Sequence, residues 1–170
     1  NVWTEVPSDA NIYNDTININ FDYNNSAAEI LPWSEDFEAF PLCGTASDCE
    51  AEVCATINNF INEANGVKDD IDWRTNQSDT PSNGTGPSVD FNPGTASGNY
   101  MYLEPSGGCT GEEAQLISPC IDLTNEGGLL EFAYHMSGGD MGSLHLDILV
   151  NGNWTNDIMP TISGDQGDQW

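Results

Sequence analysis

Short stretches in which apolar and polar residues alternate recur along this chain, and a period of two is that of half-buried β-strands. In "TININFDYN", Ile17, Ile19, Phe21 and Tyr23 alternate with Asn18, Asn20, Asp22 and Asn24. "NYMYLEP" (99–105) sets Met101 and Leu103 against Tyr100 and Tyr102. "LLEFAYHM" (129–136) puts Leu130, Phe132, Tyr134 and Met136 on one face. "SLHLDILV" (143–150) does the same with Leu144, Leu146, Ile148 and Val150, leaving His145 and Asp147 opposite. A shorter run, "AQLISP", precedes Cys120, and "GNW" is a turn entering a further strand near 157–162. Only "CATINNFINEANG" hints at a helical turn. Between the runs lie Gly-, Asn- and Pro-rich turns, and "SDTPSNGTGPSVDFNPGTASG" (78–98) is a long loop of the kind that is usually functional or pinned by something. This spacing of short strands predicts an all-β protein, an antiparallel β-sandwich.

Composition narrows the setting. At 170 residues the chain can bury one real core, and 38% hydrophobic residues is low for a globular domain but above the disordered range. The formal charge of −26, from 28 acids against two bases, excludes nucleic acid and anionic membranes as partners, because nothing offsets their phosphates. Such a surface needs counter-ions and tolerates salt, which screens repulsion beyond about 10 Å. No apolar run is long enough to span a bilayer, so direct membrane insertion is not expected, and no signal peptide precedes the abrupt start "NVWTEV". A piece of a larger, processed protein is expected.

The five cysteines form no C-x-x-C knuckle and have no histidine beside them, which disfavours zinc. Disulfides in an exported, extracellular or cell-surface protein fit better. Cys109 and Cys120 bracket "CTGEEAQLISPC" and are expected to pair, leaving one thiol of Cys43, Cys49 and Cys54 over.

Candidate chemistry centres on "KDDIDWR" (68–74), flanked by the only two basic residues, Lys68 and Arg74. Paired carboxylates can hydrolyse glycosides, but in so acidic a chain neighbouring aspartates arise by chance. His135 and His145 sit in strand-like runs with no G-x-S-x-G or H-E-x-x-H motif beside them, and there is no P-loop. Calcium, which takes six to eight oxygens from carboxylates, carbonyls and water, suits the composition better. No EF-hand loop is present, so a site would have to be assembled from separate segments: Glu38, the "DDID" run and Asp90. The alternative is a solvated acidic loop. Alternation would send Asp70 and Asp72 to one side and Ile71 and Trp73 to the other. N-x-[ST] sequences at Asn14, Asn24, Asn76, Asn83 and Asn153 matter only in a host that glycosylates them.

Several motifs together carry a family resemblance. "DFE" (36–38), "DDIDW" (69–73), "TPSNGTGPSVD" (80–90), "SGNYMYLE" (97–104), "AQLISPCIDL" (114–123), "LEFAYHMSGGDMGSLHLDI" (130–148) and "ISGDQGDQW" (162–170) stand in the order seen in MAM domains. These are the extracellular modules of meprins, neuropilins and receptor tyrosine phosphatase mu. The resemblance covers 34–170, leaving 1–33 as an N-terminal strand and linker or the end of an upstream domain. The stretch from Cys43 to Cys54 is similar to an insertion in MAM-like modules of secreted bacterial proteins.

The resemblance implies a jelly-roll sandwich of two antiparallel sheets and an adhesion or recognition role, with no catalysis and no catalytic residues of its own. It implies a structural calcium held by Glu38, Asp70 (with Asp72 as the competing choice) and Asp90. The family pattern continues beyond "GDQW", so the sandwich is expected to be incomplete at its C-terminus, with remaining strands or domains of a longer chain, or a partner chain, filling the gap. The expected partner is a cell-surface protein or glycan; sulfated glycans would need calcium to bridge them. An accessory, substrate-targeting module of a secreted metalloprotease or polysaccharide-degrading enzyme is the alternative.

Overall fold

The computed structural model describes residues 27–44, 54–63, 65–105, 108–124 and 127–170, with the strand segments 2–3 and 16–17. Among these residues there is no helix, and the elements are short strands joined in twos, as the alternation requires. β1 (Val2–Trp3) pairs antiparallel with β2 (Thr16–Ile17), and the rest of the expected strand, 18–24, lies outside the described residues. β3 (Glu29–Ile30) runs parallel to β8 (Ile121–Asp122). The remaining pairs are antiparallel: β4 (Ile61–Asn62) with β7 (Leu116–Ile117), β5 (Arg74–Gln77) with β6 (Asn99–Tyr102), β9 (Ser143–Leu144) with β12 (Ile162–Ser163), and β10 (Ile148–Val150) with β11 (Asn153–Thr155). The protein is all-β, consistent with a jelly-roll sandwich. No helix among the described residues is long and apolar enough to cross a membrane.

The β5–β6 ladder is the centre of the core. Arg74 faces Tyr102, Thr75 faces Met101, Asn76 faces Tyr100 and Gln77 faces Asn99. Of the two faces of β6, the tyrosine face is the buried one, and the Tyr100 and Tyr102 rings meet edge to face at 6.2 Å. Each buried polar group here is given a partner. Asn76 donates from Nδ2 to Tyr100 Oη at 2.9 Å and to the Asp79 carbonyl at 3.2 Å, while Tyr100 donates to the Ser78 carbonyl at 2.7 Å. Asn76 itself is buried, so the amide of its N-x-[ST] sequence is not presented to solvent. Next to this ladder Phe37, Phe40 and Phe60 pack edge to face at 5.3–5.7 Å, with Trp33 6.1 Å from Phe60.

Several expectations are corrected by local chemistry. The "CATINNFINEANG" segment makes a turn and not a helical one: Asn58 and Asn59 both have positive φ, 53° and 63°, which asparagine tolerates and a helix does not. Cys43 pairs with Cys54. Cys120 is a free, exposed thiol, so it does not pair with Cys109; Cys109 is disulfide-bonded to a partner outside the described residues. Cys49 lies outside the described residues.

The C-terminal strands are shorter than the alternation predicts. Residues 129–136 make no ladder; Met136 alone bridges Gly167, and its carbonyl accepts from Gln166 N at 2.7 Å. The run 143–150 is interrupted at 145–147, where side chains replace the ladder: Asp147 Oδ1 accepts from Asp157 N at 2.8 Å, and His145 Nδ1 lies 2.6 Å from Asp157 Oδ1. β10 and β11 are closed by Asn151 and Gly152, both at positive φ (51° and 76°), the Asn-Gly turn whose twist suits a two-residue hairpin.

Candidate functional site

Glu38 is presented by a tight turn. Phe37 sits at φ 64°, its N–H donates to Glu35 Oε1 at 2.9 Å, and Phe40 N donates back to its carbonyl at 3.0 Å. Phe37 and Phe40 are thereby anchored on Phe60, and Glu38 points away from that cluster towards the start of β6. Its Oε1 accepts from Asn99 N at 2.8 Å. The Asn99 side chain returns the tie, its Nδ2 lying 3.2–3.4 Å from the carbonyls of Phe37, Glu38 and Phe40.

Asp90 arrives at the same corner from the long loop. It is 2% exposed, and Oδ1 accepts from Thr95 N at 2.7 Å. Thr95 O in turn accepts from Asp90 N and Gly98 N, closing residues 90–98 into a compact loop. Gly98 is required here: a Cβ on it would overlap the Asp90 carboxylate. The other oxygen, Asp90 Oδ2, is buried and has no hydrogen-bond partner. Glu38 and Asp90 thus meet the consecutive residues Asn99 and Gly98, from two segments more than fifty residues apart.

Asp70 and Asp72 stand elsewhere. In β5, Arg74 faces Tyr102 and only Gln77 reaches Asn99, so Asp72 lies five residues along from that corner, on the order of 15 Å at about 3.3 Å per residue. Nor do the two point the same way: Asp72 is buried and Asp70 exposed. Residues 66–71 form turns and bends, and Asp70 N and Ile71 N both donate to the Glu113 carbonyl, at 2.8 and 3.1 Å, so strict alternation cannot start before β5. Asp70 Oδ2 accepts from Glu113 N at 3.0 Å, and Asp72 Oδ2 from Cys54 N at 2.6 Å. Asp70 also shares a hydrogen bond and repels Glu112, which raises the Glu112 carboxyl above its ordinary pKa. Among the described residues, no group of three or more His, Cys, Asp or Glu side chains is placed to hold a metal ion. Any cation at either place would draw on two carboxylates supplemented by carbonyl, amide or water oxygens.

The two histidines are tied to aspartates. His135, with its side chain 3% exposed, has Nε2 3.1 Å from Asp168 Oδ1 and its ring 5.4 Å from Trp170. His145 lies against Asp157.

The structure therefore places two of the four expected ligands together and adds two residues that spacing did not single out, Gly98 and Asn99. Their signal was the "SGN" immediately before the tyrosine strand, a glycine where backbone must approach a side chain and an amide at the strand's first residue.

Residues 48–170 match the MAM domain family, described as MAM domain, meprin/A5/mu. The chain belongs to the MAM domain family. This MAM domain is 33% identical over 113 residues to neuropilin-1a of Danio rerio, covering 65% of the chain and 12% of that protein. It is 30% identical over 158 residues to MAM domain-containing glycosylphosphatidylinositol anchor protein 1 of Gallus gallus, and 35% over 157 residues to that of Rattus norvegicus. Each of these covers 88% of the chain and 16% of the relative. The MAM domain thus spans a small part of these relatives. They are animal proteins and lend the expected bacterial variant no support. Members of this kind are extracellular or cell-surface proteins, and that is the setting of this MAM domain. No solved structure matches the chain at a significant level.

Proposed function

We propose that this chain is a non-catalytic recognition module of a larger extracellular or cell-surface protein, and that a calcium ion closes its Glu38 and Asp90 corner. The observation that carries the calcium reading is Asp90 Oδ2. A carboxylate oxygen buried without a partner costs several kcal/mol in effective desolvation unless a charge answers it. With Glu38 on the adjacent backbone position, the corner offers hard oxygen donors of the kind calcium takes, with carbonyls and water completing the shell. Bound there, calcium would supply charge neutralisation and a cross-link between the 34–40 turn and the 90–98 loop.

The partner is a cell-surface protein or a glycan. With a net charge of −26, an anionic ligand needs a bridging cation, whereas a neutral glycan or a basic protein surface does not. Binding screened on a glycan array and against cell-surface proteins, with calcium and with chelator, tests this reading; recognition indifferent to chelator would remove the calcium-dependent part. The calcium reading has its own test in thermal unfolding. A ligand that binds only the folded state adds about 2.7 kcal/mol at a hundredfold excess over Kd. That corresponds to a rise of roughly 5–10 °C for a domain of this size. Asp90→Asn should reduce the rise by the share that this corner contributes, and an unchanged melting temperature in chelator would contradict the proposal.

A further inference from the structure

A second place in the molecule leaves buried carboxylate oxygens without partners, and it lies apart from the Glu38 and Asp90 corner. Asp69 and Asp72 are each 5% exposed. Each spends one oxygen on a backbone N–H: Asp69 Oδ2 accepts from Gln115 N at 2.7 Å, and Asp72 Oδ2 from Cys54 N at 2.6 Å. The Oδ1 atoms of both are buried and have no hydrogen-bond partner. Asn65 adds a third orphan side chain, since neither its Oδ1 nor its Nδ2 finds a partner.

One tight turn brings these residues together. Asn65 and Asp69 are bridge partners, Gly66 N donates to the Asp69 carbonyl at 2.6 Å, and Asp72 follows three residues later. The flanking segments hold the turn: Glu63 N donates to the Gln115 carbonyl at 3.2 Å, and Asn62 Nδ2 donates to the carbonyls of Cys54 and Trp73 at 3.2 and 3.0 Å. No basic side chain among the described residues forms an ion pair with either aspartate. Burial, and after it the charges of Asp72, Glu63 and Asp70, push the Asp69 carboxyl above its ordinary pKa, against the opposing Gln115 N–H. The negative charges here are thus close enough to repel, and desolvated enough for repulsion to be costly.

Two half-used buried carboxylates and an unpartnered amide are unusual in a folded interior, where buried polar atoms nearly always have partners. A basic side chain would resolve the mismatch, but Arg74, although buried, turns its Nη1 to the Cys43 carbonyl at 3.5 Å. We infer that Asp69 and Asp72, with the amide oxygen of Asn65, bind a divalent cation, calcium by the hardness of the donors. This is a second site, independent of the Glu38 and Asp90 corner. Its cation ties the 65–72 turn to β7 through Gln115 and to the Cys43–Cys54 disulfide through Cys54 N. Glu63, whose charge is felt at Asp69, lends further negative potential.

Calcium titration calorimetry on the 170-residue chain tests this, with native mass spectrometry counting retained ions, in about 0.15 M salt so that diffuse counter-ions are screened. The double substitution Asp69→Asn, Asp72→Asn suits the purpose because each asparagine keeps an oxygen for the backbone N–H that its carboxylate accepts. Two ions are expected in the wild type, one in Asp90→Asn, one in the double variant and none in the triple. A double variant that retains the wild-type count overturns the inference and leaves the Glu38 and Asp90 reading standing. A single ion that survives Asp90→Asn but is lost in the double variant upholds the inference and removes the other reading. No ion in the wild type overturns both. Should circular dichroism show the double variant unfolded, Asn65→Ala decides. One binding event should weaken by at least about tenfold, the size usual for losing even an outer-shell partner, and unchanged affinities would overturn the inference.

Discussion

The two halves of this MAM domain are built from the same alternation and end up differently. Between Phe40 and Cys109 lie the buried aromatics and cysteines together with the buried polar residues, among them Arg74, Thr75, Asn76, Asp90 and Glu104. Beyond Pro119 no described residue is buried as a whole, though the His135 side chain is, and Leu129, Leu130, Phe132, Leu149, Val150, Trp154 and Ile158 are exposed. In the first half a four-residue ladder is flanked by loops that tie back to it through hydrogen bonds such as Asn99 N to Glu38 and Tyr100 Oη to the Ser78 carbonyl, so a face becomes an interior. In the second, the strands are only two or three residues long, and apolar residues such as Leu149, Val150 and Trp154 meet solvent. Period-two alternation specifies which residues share a face. It does not specify what covers that face.

The largest effect that could break the comparison is a truncation in each half. Phe40→Ala removes a ring that meets Phe37 and Phe60, and should cost about 3–5 kcal/mol in urea unfolding. Trp154→Ala, which removes the exposed cross-strand partner of Leu149, should change stability by less than about 0.5 kcal/mol. Equal costs would mean the C-terminal half is as well packed as the first.

Polar ties come next. Asn76→Ala leaves the Tyr100 hydroxyl and the Asp79 carbonyl without their buried donor and should cost about 1–3 kcal/mol by the same measurement. Gly98→Ala drives a methyl into the Asp90 carboxylate and should destabilise by a similar amount, about 1–3 kcal/mol. A neutral result for the glycine would mean that the 90–98 loop is not held as described.

Titration gives the finer contrast. Burial, with the neighbouring Glu104 charge adding to it, raises Tyr102 from 10.0 to about 12. The neutral phenol's contribution to stability is therefore complete below the unfolded value near 10 and is lost as pH rises through about 12. Tyrosinate absorbance should appear at higher pH than for free tyrosine until the chain unfolds. In the C-terminal half, the N–H groups of Gly167 and Gly138 lower the Asp165 carboxyl. Its contribution is present above the ordinary carboxylate range and is lost as pH falls through the depressed value, a small effect at an exposed group. Acid titration followed by NMR should place Asp165 below the ordinary aspartate value.

The same contrast explains what could be read in advance. The tyrosine strand was legible because its alternation coincides with a real pairing, Asn99 to Tyr102 against Arg74 to Gln77. The 129–136 run alternates as cleanly, yet pairs only at Met136, because side-chain pattern carries no information about which backbone lies alongside. "DDIDW" misled about direction, since a turn, not a strand, carries its aspartates. For the candidate site, the acids were visible as residue types in distinctive motifs. That Glu38 and Asp90 share a corner while Asp72 does not depends on the β5–β6 register, which spacing does not encode. The nearness of Cys120 to Cys109 in sequence suggests a disulfide, yet the fold leaves Cys120 free.

The central claim is that a cation closes the Asp90 corner of the buried half. Amide hydrogen exchange of the wild-type chain, in calcium and in chelator, tests it most directly. The amides of Thr95, Gly98 and Asn99, which donate to Asp90, Thr95 and Glu38, should exchange more slowly in calcium, while those of 143–155 should not change. Exchange at 90–99 that ignores chelator, or slows no more than at 143–155, would contradict it.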